Sequence, residues 1–471
     1  MRIRKIRFLL LIFFVSNFII SQDKIDKELL KKDLDVLKAN LEAYHTGLYT
    51  YTSKEEFEQW YSDTKMNLED ATSLEFFRKL MELNTLIKNG HTRFHLNPEQ
   101  RGKDLLMPSF NIYKDKDLFY IKECDNPELI GKQIATIDKM PIAEVFEHLL
   151  NFVERDGNNL TQPTDELVYS FSRKYPLAYG NSPKTRLEIW NDQEIEEIVF
   201  TNIPYEGLYP KTDYLYDNGG VEFSIKDSVA LLTVQTFNPT PLKKDNYLSK
   251  LKTLFTEIEK EKIKHLIIDV RNNGGGATKP VEELISYIYG QEFIFYEDVY
   301  QLHKKWDTSI IPESSRYSKI TAKWAYKKGE DGHYRAIAGN DGMKKRKPKK
   351  NYFQGELYVL INGSSLSAAA EFASFIKQYR KATFIGDEAG GNKTQNTSGR
   401  WLILVLPNSK IYVLIPFVLW KMNVDFENDG HGIKPDYYIQ NSIQEEIKNE
   451  DAALQFTYEL IKQSTADKGN Q

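Results

Sequence analysis

The fold is decided by the stretch IIDVRNNGGG at residues 267–276, in which an apolar run leads directly into three glycines. An apolar run of this kind is typical of a strand that is buried on both faces of a parallel sheet. Glycines after such a strand let the backbone approach a ligand, and their N–H groups can face an anion. The stretch matches neither G-x-x-x-x-G-K-[ST] nor G-x-G-x-x-G, so it does not indicate a nucleotide site, and taken alone such a turn is more often structural.

Strands and helices alternate on both sides of this stretch, from about residue 218 to residue 445. Strands are predicted at 228–234, 265–270 and 357–361, and helices at 248–258, 281–289 and 368–379. This alternation is typical of an α/β core with crossover helices. We expect the polar residues from Tyr296 to Phe353, which include KKRKPKK at 344–350, to form a solvated surface insertion.

The first residues resemble a targeting segment. Cations at positions 2, 4, 5 and 7 precede the mostly apolar run 8–20, which has 13 residues. Because roughly 20 residues are needed to cross a bilayer as a helix, residues 1–21 predict a secretory signal peptide and a secreted or periplasmic protein. An uncleaved anchor is the alternative, since Ile19 is not a small residue. After cleavage we expect no stable membrane insertion.

The chain is therefore predicted to be an α+β multidomain protein. Leucines at 4-3-4 spacing from Leu30 to Leu41 indicate a helix in an N-terminal helical region, 22–98. Short strands around Gly131 and Asp138 resemble a PDZ-like domain, 105–204, with a helix around 165–174 inserted between its strands. The α/β core spans 218–445, and a C-terminal helix and tail follow at 446–471.

Composition excludes several functional classes. The 63 basic and 67 acidic residues give a net charge of -4, which makes no case for a nucleic-acid partner. The one cysteine, Cys124, excludes an internal disulfide framework and a multi-cysteine metal site. The eight histidines lack ligand spacing and form no H-E-x-x-H, so we predict neither metal nor cofactor.

A second strand-to-helix junction carries the candidate nucleophile. It is YVLINGSSLSAAAEF at residues 358–372. A serine at a helix N-terminus is usually only a cap, but Ser367 is followed by small alanines that allow a substrate backbone to approach. The N–H of Ala368 would lie at the positive end of the helix, where a developing oxyanion is stabilised.

The two junctions together, followed by ATFIGDE at 382–388, resemble the tail-specific (C-terminal processing) serine peptidase family. The resemblance covers roughly residues 80 to 440, and it implies a crotonase-like peptidase core. It also implies that Ser367 is the nucleophile and that the N–H groups of Gly275 and Ala368 form the oxyanion hole. A G-x-S-x-G elbow is absent around Ser367, which argues against an α/β-hydrolase.

The catalytic base is less clear from the sequence. In family members with a Ser–Lys dyad the lysine would fall on Asn392, so Lys393 is one residue late and in a strand would point to the opposite face. Lys393 remains the alternative base. The chain instead resembles the tricorn-like and retinoid-binding-protein-like branch, in which NGHTRF at 89–94 would supply His91 as base and FENDGHGIKPD at 426–436 would supply Glu427.

A neutral imidazole suits the work of taking a serine proton, and a carboxylate behind it would hold its tautomer. His95 and His431 are the fallback bases. The predicted function is that of an exported serine endopeptidase acting on unfolded or extended polypeptides. The alternative is a catalytically inactive protein that binds peptides or hydrophobic ligands on the same scaffold. The oligomeric state is left open.

Overall fold

The structure is a computed structural model that describes residues 23–102, 104–205, 220–303, 326–337 and 342–469. The predicted signal peptide, 1–21, lies outside the described residues. No helix in the described ranges is long and apolar enough to span a bilayer. The helices are α1 (Lys27–Tyr44), α2 (Lys54–Met66), α3 (Ser73–Leu80), α4 (Glu82–Ile87), α5 (Pro98–Arg101), α6 (Ile142–Leu149), α7 (Thr161–Tyr179), α8 (Pro239–Lys244), α9 (Tyr247–Glu261), α10 (Thr278–Ser286), α11 (Ala368–Tyr379), α12 (Ile443–Ile447) and α13 (Ala452–Gly469).

The strands are short and belong to several sheets. They are β1 (Arg93–His95), β2 (Leu106–Met107), β3 (Phe110–Asp115), β4 (Leu118–Cys124), β5 (Gln133–Ile137), β6 (Met140–Pro141), β7 (Lys184–Asn191), β8 (Glu194–Thr201), β9 (Ile203–Pro204), β10 (Val221–Lys226), β11 (Val229–Val234), β12 (His265–Asp269), β13 (Tyr296–Gln301), β14 (Tyr326–Lys328), β15 (Tyr334–Ala336), β16 (Glu356–Ile361), β17 (Thr383–Gly386), β18 (Gln395–Asn396), β19 (Trp401–Val405), β20 (Tyr412–Pro416), β21 (Leu419–Met422) and β22 (Tyr437–Tyr438).

The N-terminal region is helical from α1 to α5. The predicted leucine stripe of α1 is fully buried, with Leu30, Leu34 and Leu41 at 0 % exposure. A capping box at Thr72 starts α3, and Lys88 in the left-handed conformation (φ 52°) ends α4. The chain then turns through residues 89–92 into β1, which pairs with β20 of a three-stranded sheet. This pairing carries the predicted histidine segment toward the core.

The middle region is a sheet in the order β3-β4-β5-β7-β8. Its strands β3 and β4 form an antiparallel hairpin, and α6 packs on the sheet. The inserted helix α7 is longer than the predicted 165–174 and packs against β3. The PDZ-like interpretation of this region stays a prediction.

The core is a six-stranded sheet in the order β10-β11-β12-β16-β17-β22, with β10 antiparallel and the other neighbours parallel. The prediction of a mixed α/β multidomain chain is therefore confirmed. Neighbouring β12 and β16 are in register from His265 opposite Glu356 to Asp269 opposite Leu360. Because parallel strands end at the same edge of a sheet, the triple-glycine turn after β12 and the serine-rich turn after β16 meet there.

The predicted surface insertion after Tyr296 is wrong in part. Within the described residues, β13, β14 and β15 join β21 and β18 in a second sheet, and Val299 and Gln301 are buried in it. The basic run is also not fully solvated, since Arg346 forms an ion pair with the buried Glu282. The sequence does not reveal these strands, because they are short, mostly polar and lack a regular apolar/polar alternation.

Helix α7 is attached to the core through Asp165. Its buried carboxyl accepts hydrogen bonds from the N–H groups of Gly363 and Ser364 and from the Ser364 hydroxyl. Burial, and then the nearby Asp387 carboxyl, raise the pKa of Asp165 to about 7. Between about pH 4 and pH 7, Asp165 is protonated in the folded chain but ionised in the unfolded chain. The free energy of unfolding therefore decreases as pH rises through that window.

We expect Asp165→Asn to stabilise the chain at pH 8.5 and to change little at pH 5, because the amide keeps an acceptor without a buried charge. The expected gain is on the order of 2 kcal/mol. Urea unfolding at both pH values measures it, with the exposed Asp117→Asn as control. An equal loss of stability at both pH values would contradict this account.

Candidate active site

Ser367 lies at the N-cap of α11, directly after the turn that follows β16. Its backbone has φ 54° and ψ -122°. Residues other than glycine rarely adopt this conformation, and such strained residues occur most often at functional sites. The two preceding serines are buried, and their hydroxyls already form hydrogen bonds. Ser365 Oγ donates to the Val270 carbonyl (2.8 Å), and the Ser364 hydroxyl donates to the Asp165 carboxyl. Ser367, by contrast, is partly exposed. Of these three serines, it is the hydroxyl that a substrate can reach.

The triple-glycine turn lies against Ser367. A Cβ atom added at Gly275 would come within 2.7 Å of Ser367 Cβ and 2.8 Å of Ala368 N, and its φ of 97° also requires glycine. The Gly275 N–H, however, donates to Asn273 Oδ1 (2.9 Å), and the Asn273 amide is itself held by the Val234 carbonyl.

The two predicted oxyanion donors are therefore not equivalent. Among the described residues, the Ala368 N–H at the start of α11 has no hydrogen-bond acceptor, so it is available to an oxyanion. The Gly275 N–H is already occupied, which the glycine pattern does not reveal. An oxyanion would have to share it with the Asn273 side chain or displace that side chain.

A cavity of about 700 Å³ opens in front of Ser367. The triple-glycine turn and the start of α10 form one wall, and Tyr296, Trp420 and residues 398–400 form the other. Lys344 and Arg346 of the basic run also line it. Its size and its position at the end of the parallel strands suit a ligand such as a peptide segment.

Ser367 Oγ has two hydrogen-bond partners that the sequence did not suggest. Ser398 Oγ lies 3.1 Å away, and Asn396 Nδ2 donates to Ser367 Oγ at 3.2 Å. The same Nδ2 donates to Glu371 Oε1 (3.0 Å), and Tyr296 donates to Glu371 Oε2 (2.8 Å). Glu371 is 3 % exposed, and burial raises its pKa to about 7. Of these residues, only Glu371 could have been suspected from the sequence, because it lies one helical turn after Ser367. Asn396 and Ser398 are distant from Ser367 in the chain and gave no such signal.

His91 is buried beside the same loop but is not hydrogen-bonded to Ser367. Burial, and then the Arg93 charge, lower the pKa of His91 to about 3, so its imidazole is neutral at physiological pH. Its Nδ1 is buried and has no hydrogen-bond partner among the described residues. The indole of Trp401 donates to the His91 carbonyl at 3.0 Å.

The segment 396–401 links the two predicted catalytic residues. Asn396 and Ser398 contact Ser367, whereas Thr397, between them, bonds the side chain of Asn89 at 2.9 Å in the His91 turn. Successive side chains of extended backbone point to opposite sides. Ser367 and the His91 turn therefore flank this segment, and the direct Ser367–His91 hydrogen bond of the predicted site is absent from the structure.

The other predicted residues lie away from Ser367. Glu427 is exposed on a loop and forms no hydrogen bond with His91, whose Nδ1 has no partner among the described residues. Lys393 forms an ion pair with Asp429 (2.7 Å). The fallback bases do not replace them, since His431 bonds Glu388 (3.0 Å) and His95 lies on β1 opposite Tyr412. The structure thus brings together Ser367, Ala368 and Gly275, but not Glu427 or Lys393.

The model of peptidase family S41 matches residues 228–439, which contain both junctions. This part of the chain is therefore similar to peptidase family S41, and the predicted resemblance to the tail-specific serine peptidase family is confirmed. Probable CtpA-like serine proteases of Staphylococcus haemolyticus and Staphylococcus epidermidis are 23% and 24% identical to the chain over 221 and 224 residues, each match covering 46% of this chain. The chain spans about a third (35%) of the length of these curated relatives.

Two solved structures have a similar fold at low sequence identity. A crystal structure of a CPAF mutant has a TM-score of 0.64 at 13% identity and covers 90% of this chain and 94% of its own. Mature CPAF complexed with lactacystin has a TM-score of 0.63 at 14% identity and covers 94% and 99%. At these identities the likeness supports the fold alone.

Proposed function

We propose that this chain is an exported serine endopeptidase that hydrolyses extended polypeptides with Ser367 as nucleophile. The observation that carries the proposal is the position of Ser367. It is the reachable serine of its turn, in a strained backbone conformation, at a helix N-terminus and in front of a peptide-sized cavity. The match of residues 228–439 to peptidase family S41 supports it.

In this mechanism Ser367 Oγ attacks the scissile carbonyl carbon and His91 accepts the hydroxyl proton. The lowered pKa of His91 keeps its imidazole neutral before the reaction, and contact with Ser367 and the developing negative charge must raise that pKa for His91 to hold the serine proton. Serine–base distances in unliganded enzymes are often longer than a hydrogen bond and shorten when substrate binds. We infer that the Ser398 side chain, which contacts Ser367, and residues 399–401, in which Trp401 contacts His91, shift as the peptide binds and let His91 reach Ser367, while Asn396 stays hydrogen-bonded to Glu371.

The oxyanion would be stabilised by the Ala368 N–H and the positive end of α11, with the Gly275 N–H as a second donor once Asn273 yields it. His91 then gives its proton to the leaving amine, and water hydrolyses the acyl-enzyme. In this reaction the bound segment must be extended, because the attacked carbonyl must face the helix N-terminus.

The edge strand β18 supports an extended substrate. It is the outer strand of the order β14-β15-β13-β21-β18, and its Asn396 contacts Ser367. A peptide that paired with this edge by main-chain hydrogen bonds would cross Ser367 with its scissile bond. The predicted leader 1–21 supports export, with Gln22 as the first residue of the secreted chain.

Labelling with a fluorophosphonate tests the proposal. We expect covalent labelling of the folded chain at one site, mapped by mass spectrometry to Ser367 and not to its neighbour Ser398, with peptide hydrolysis lost in proportion. An inactive ligand-binding protein is the second candidate, favoured by the missing hydrogen bond between Ser367 and His91. Absence of labelling together with absence of hydrolysis would support that candidate and overturn the peptidase proposal.

A further inference from the structure

The serine site contains a buried amide and a buried carboxyl that the mechanism above does not use. Asn396 is 6 % exposed and Glu371 is 3 % exposed. The two side chains are hydrogen-bonded to each other, and Asn396 is also hydrogen-bonded to Ser367 Oγ. We propose that Asn396 is a further catalytic residue, whose Nδ2 donates a hydrogen bond to Ser367 Oγ as negative charge develops there, and that Glu371 is its positioning residue. This inference rests on the proposed role of Ser367 as nucleophile.

The hydrogen bonds of Asn396 determine which way its amide points. Its Oδ1 accepts the Ser398 N–H at 2.8 Å, while its Nδ2 faces both Glu371 Oε1 and Ser367 Oγ. The flipped amide would put its oxygen against the Glu371 carboxyl and its nitrogen against the Ser398 N–H. Both changes would leave buried groups unpaired, so the donor side of the amide is held toward Ser367.

Glu371 is held equally firmly. Tyr296 donates to its Oε2, and the Tyr296 hydroxyl also contacts Thr278 Oγ1 at 3.1 Å. Because burial raises the pKa of Glu371 to about 7, both protonation states are populated near neutral pH. Oε1 accepts the Asn396 N–H in either state, so the positioning does not depend on the charge.

The catalytic consequence follows from the proton transfer. When the Ser367 O–H bond breaks, the proton moves to His91 and the Oγ–C bond to the substrate carbonyl forms, while the carbonyl π electrons move to the oxyanion. Nδ2 keeps its protons throughout and stabilises the charge on Oγ on the way into and out of the acyl-enzyme. A pre-oriented side-chain amide beside developing charge typically contributes about 10²–10³-fold in rate.

Glu371 offers a matched pair of substitutions. Glu371→Gln keeps every hydrogen bond, since its oxygen accepts from Asn396 and its nitrogen donates to Tyr296, whose proton turns to Thr278. Glu371→Leu has similar volume and removes the acceptor. We expect Glu371→Gln to stay within about fivefold of the wild-type kcat and Glu371→Leu to lose about 10²-fold.

The test uses the full chain with fluorescein-labelled unfolded casein as substrate and phenylboronic acid as transition-state mimic. For Asn396→Ala we expect kcat to fall about 10²–10³-fold, KM to change less than threefold and phenylboronate binding to weaken by a similar factor to kcat. Asn396→Asp keeps the acceptor for the Ser398 N–H and removes both amide donors, so we expect the same fall in kcat. It replaces Asn396→Ala in the test if that variant does not fold. The amide variant Asn191→Ala, at an exposed position of β7 in the middle sheet, is the control.

An unchanged kcat in folded Asn396→Ala or Asn396→Asp would overturn the catalytic role. Equal losses in Glu371→Gln and Glu371→Leu would overturn the positioning role. Failure of the proposed function gives a different result, because wild type would then neither hydrolyse casein nor bind the boronate at Ser367.

Discussion

Ser367→Ala is expected to lower kcat for peptide hydrolysis by at least about 10⁴-fold and to leave the folded chain intact. The hydroxyl supplies the new bond to the substrate carbon, and no other hydroxyl of its turn can replace it, because Ser364 and Ser365 are buried and hydrogen-bonded. Its loss removes the hydrogen bonds to Ser398, which lines the cavity, and to the buried Asn396, whose amide keeps its bonds to Glu371 and to the Ser398 N–H. The measurement is kcat on unfolded casein together with the thermal unfolding midpoint.

Ser365→Ala is the matched control. Ser365 Oγ donates to the Val270 carbonyl across the two strand ends, so its removal should lower stability by about 1 kcal/mol and leave kcat within a fewfold of wild type. The two variants thus separate chemistry from structure within one turn. Wild-type activity in purified Ser367→Ala would remove Ser367 from the mechanism and with it the peptidase proposal.

The parts of the fold with strong periodicity were predictable. Helix α11 begins at Ala368 and ends at Tyr379, as its pattern indicates, and β12 and β16 follow apolar runs of the core. Parallel strands in such a core end at one edge, so the two turns could be expected to lie together, whereas the pairing of Gly275 with Ser367 was expected from the family resemblance. Hydrophobic burial determines these elements, and burial is visible in the sequence.

The strands after Tyr296 were not predictable in the same way. β13 lies in a polar segment and buries Tyr296, Val299 and Gln301 without a regular alternation, and its register with β21 shifts between Tyr296 and Asp298. Such a strand is stabilised by its partner rather than by its own pattern. The same holds for β18, a two-residue strand that brings Asn396 to the serine.

The predicted base and its carboxylate depended on loops, where side-chain direction is a tertiary property. His91 reaches the neighbourhood of the serine because β1 pairs with β20, but residues 396–398 lie between them. Glu427 and Lys393 lie in loops of irregular backbone, where a shift of one residue redirects a side chain. The hydrogen bond of the Gly275 N–H was equally unpredictable from the sequence, because it depends on the direction of the Asn273 side chain.

His91→Ala is expected to lower kcat by about 10³–10⁴-fold, whereas Lys393→Ala should stay within threefold of wild type. The Lys393 ammonium is paired with Asp429, and this partly exposed ion pair is worth at most about 1 kcal/mol of stability. The lysine therefore has no acceptor role at Ser367 in this arrangement. Steady-state kinetics on casein compare the two variants directly.

The pH profile of kcat/KM provides the independent measurement, because it reports the free enzyme's base. A base must be neutral to accept the serine proton, and burial lowers the pKa of His91 to about 3. Activity should therefore not fall as pH is lowered from 7 to 5, where an ordinary histidine, with a pKa of about 6.5, would already be protonated. A lysine base would instead give activity that rises steeply toward alkaline pH and survives in His91→Ala. That pair of results would transfer the role of base to Lys393 and leave Ser367 as nucleophile.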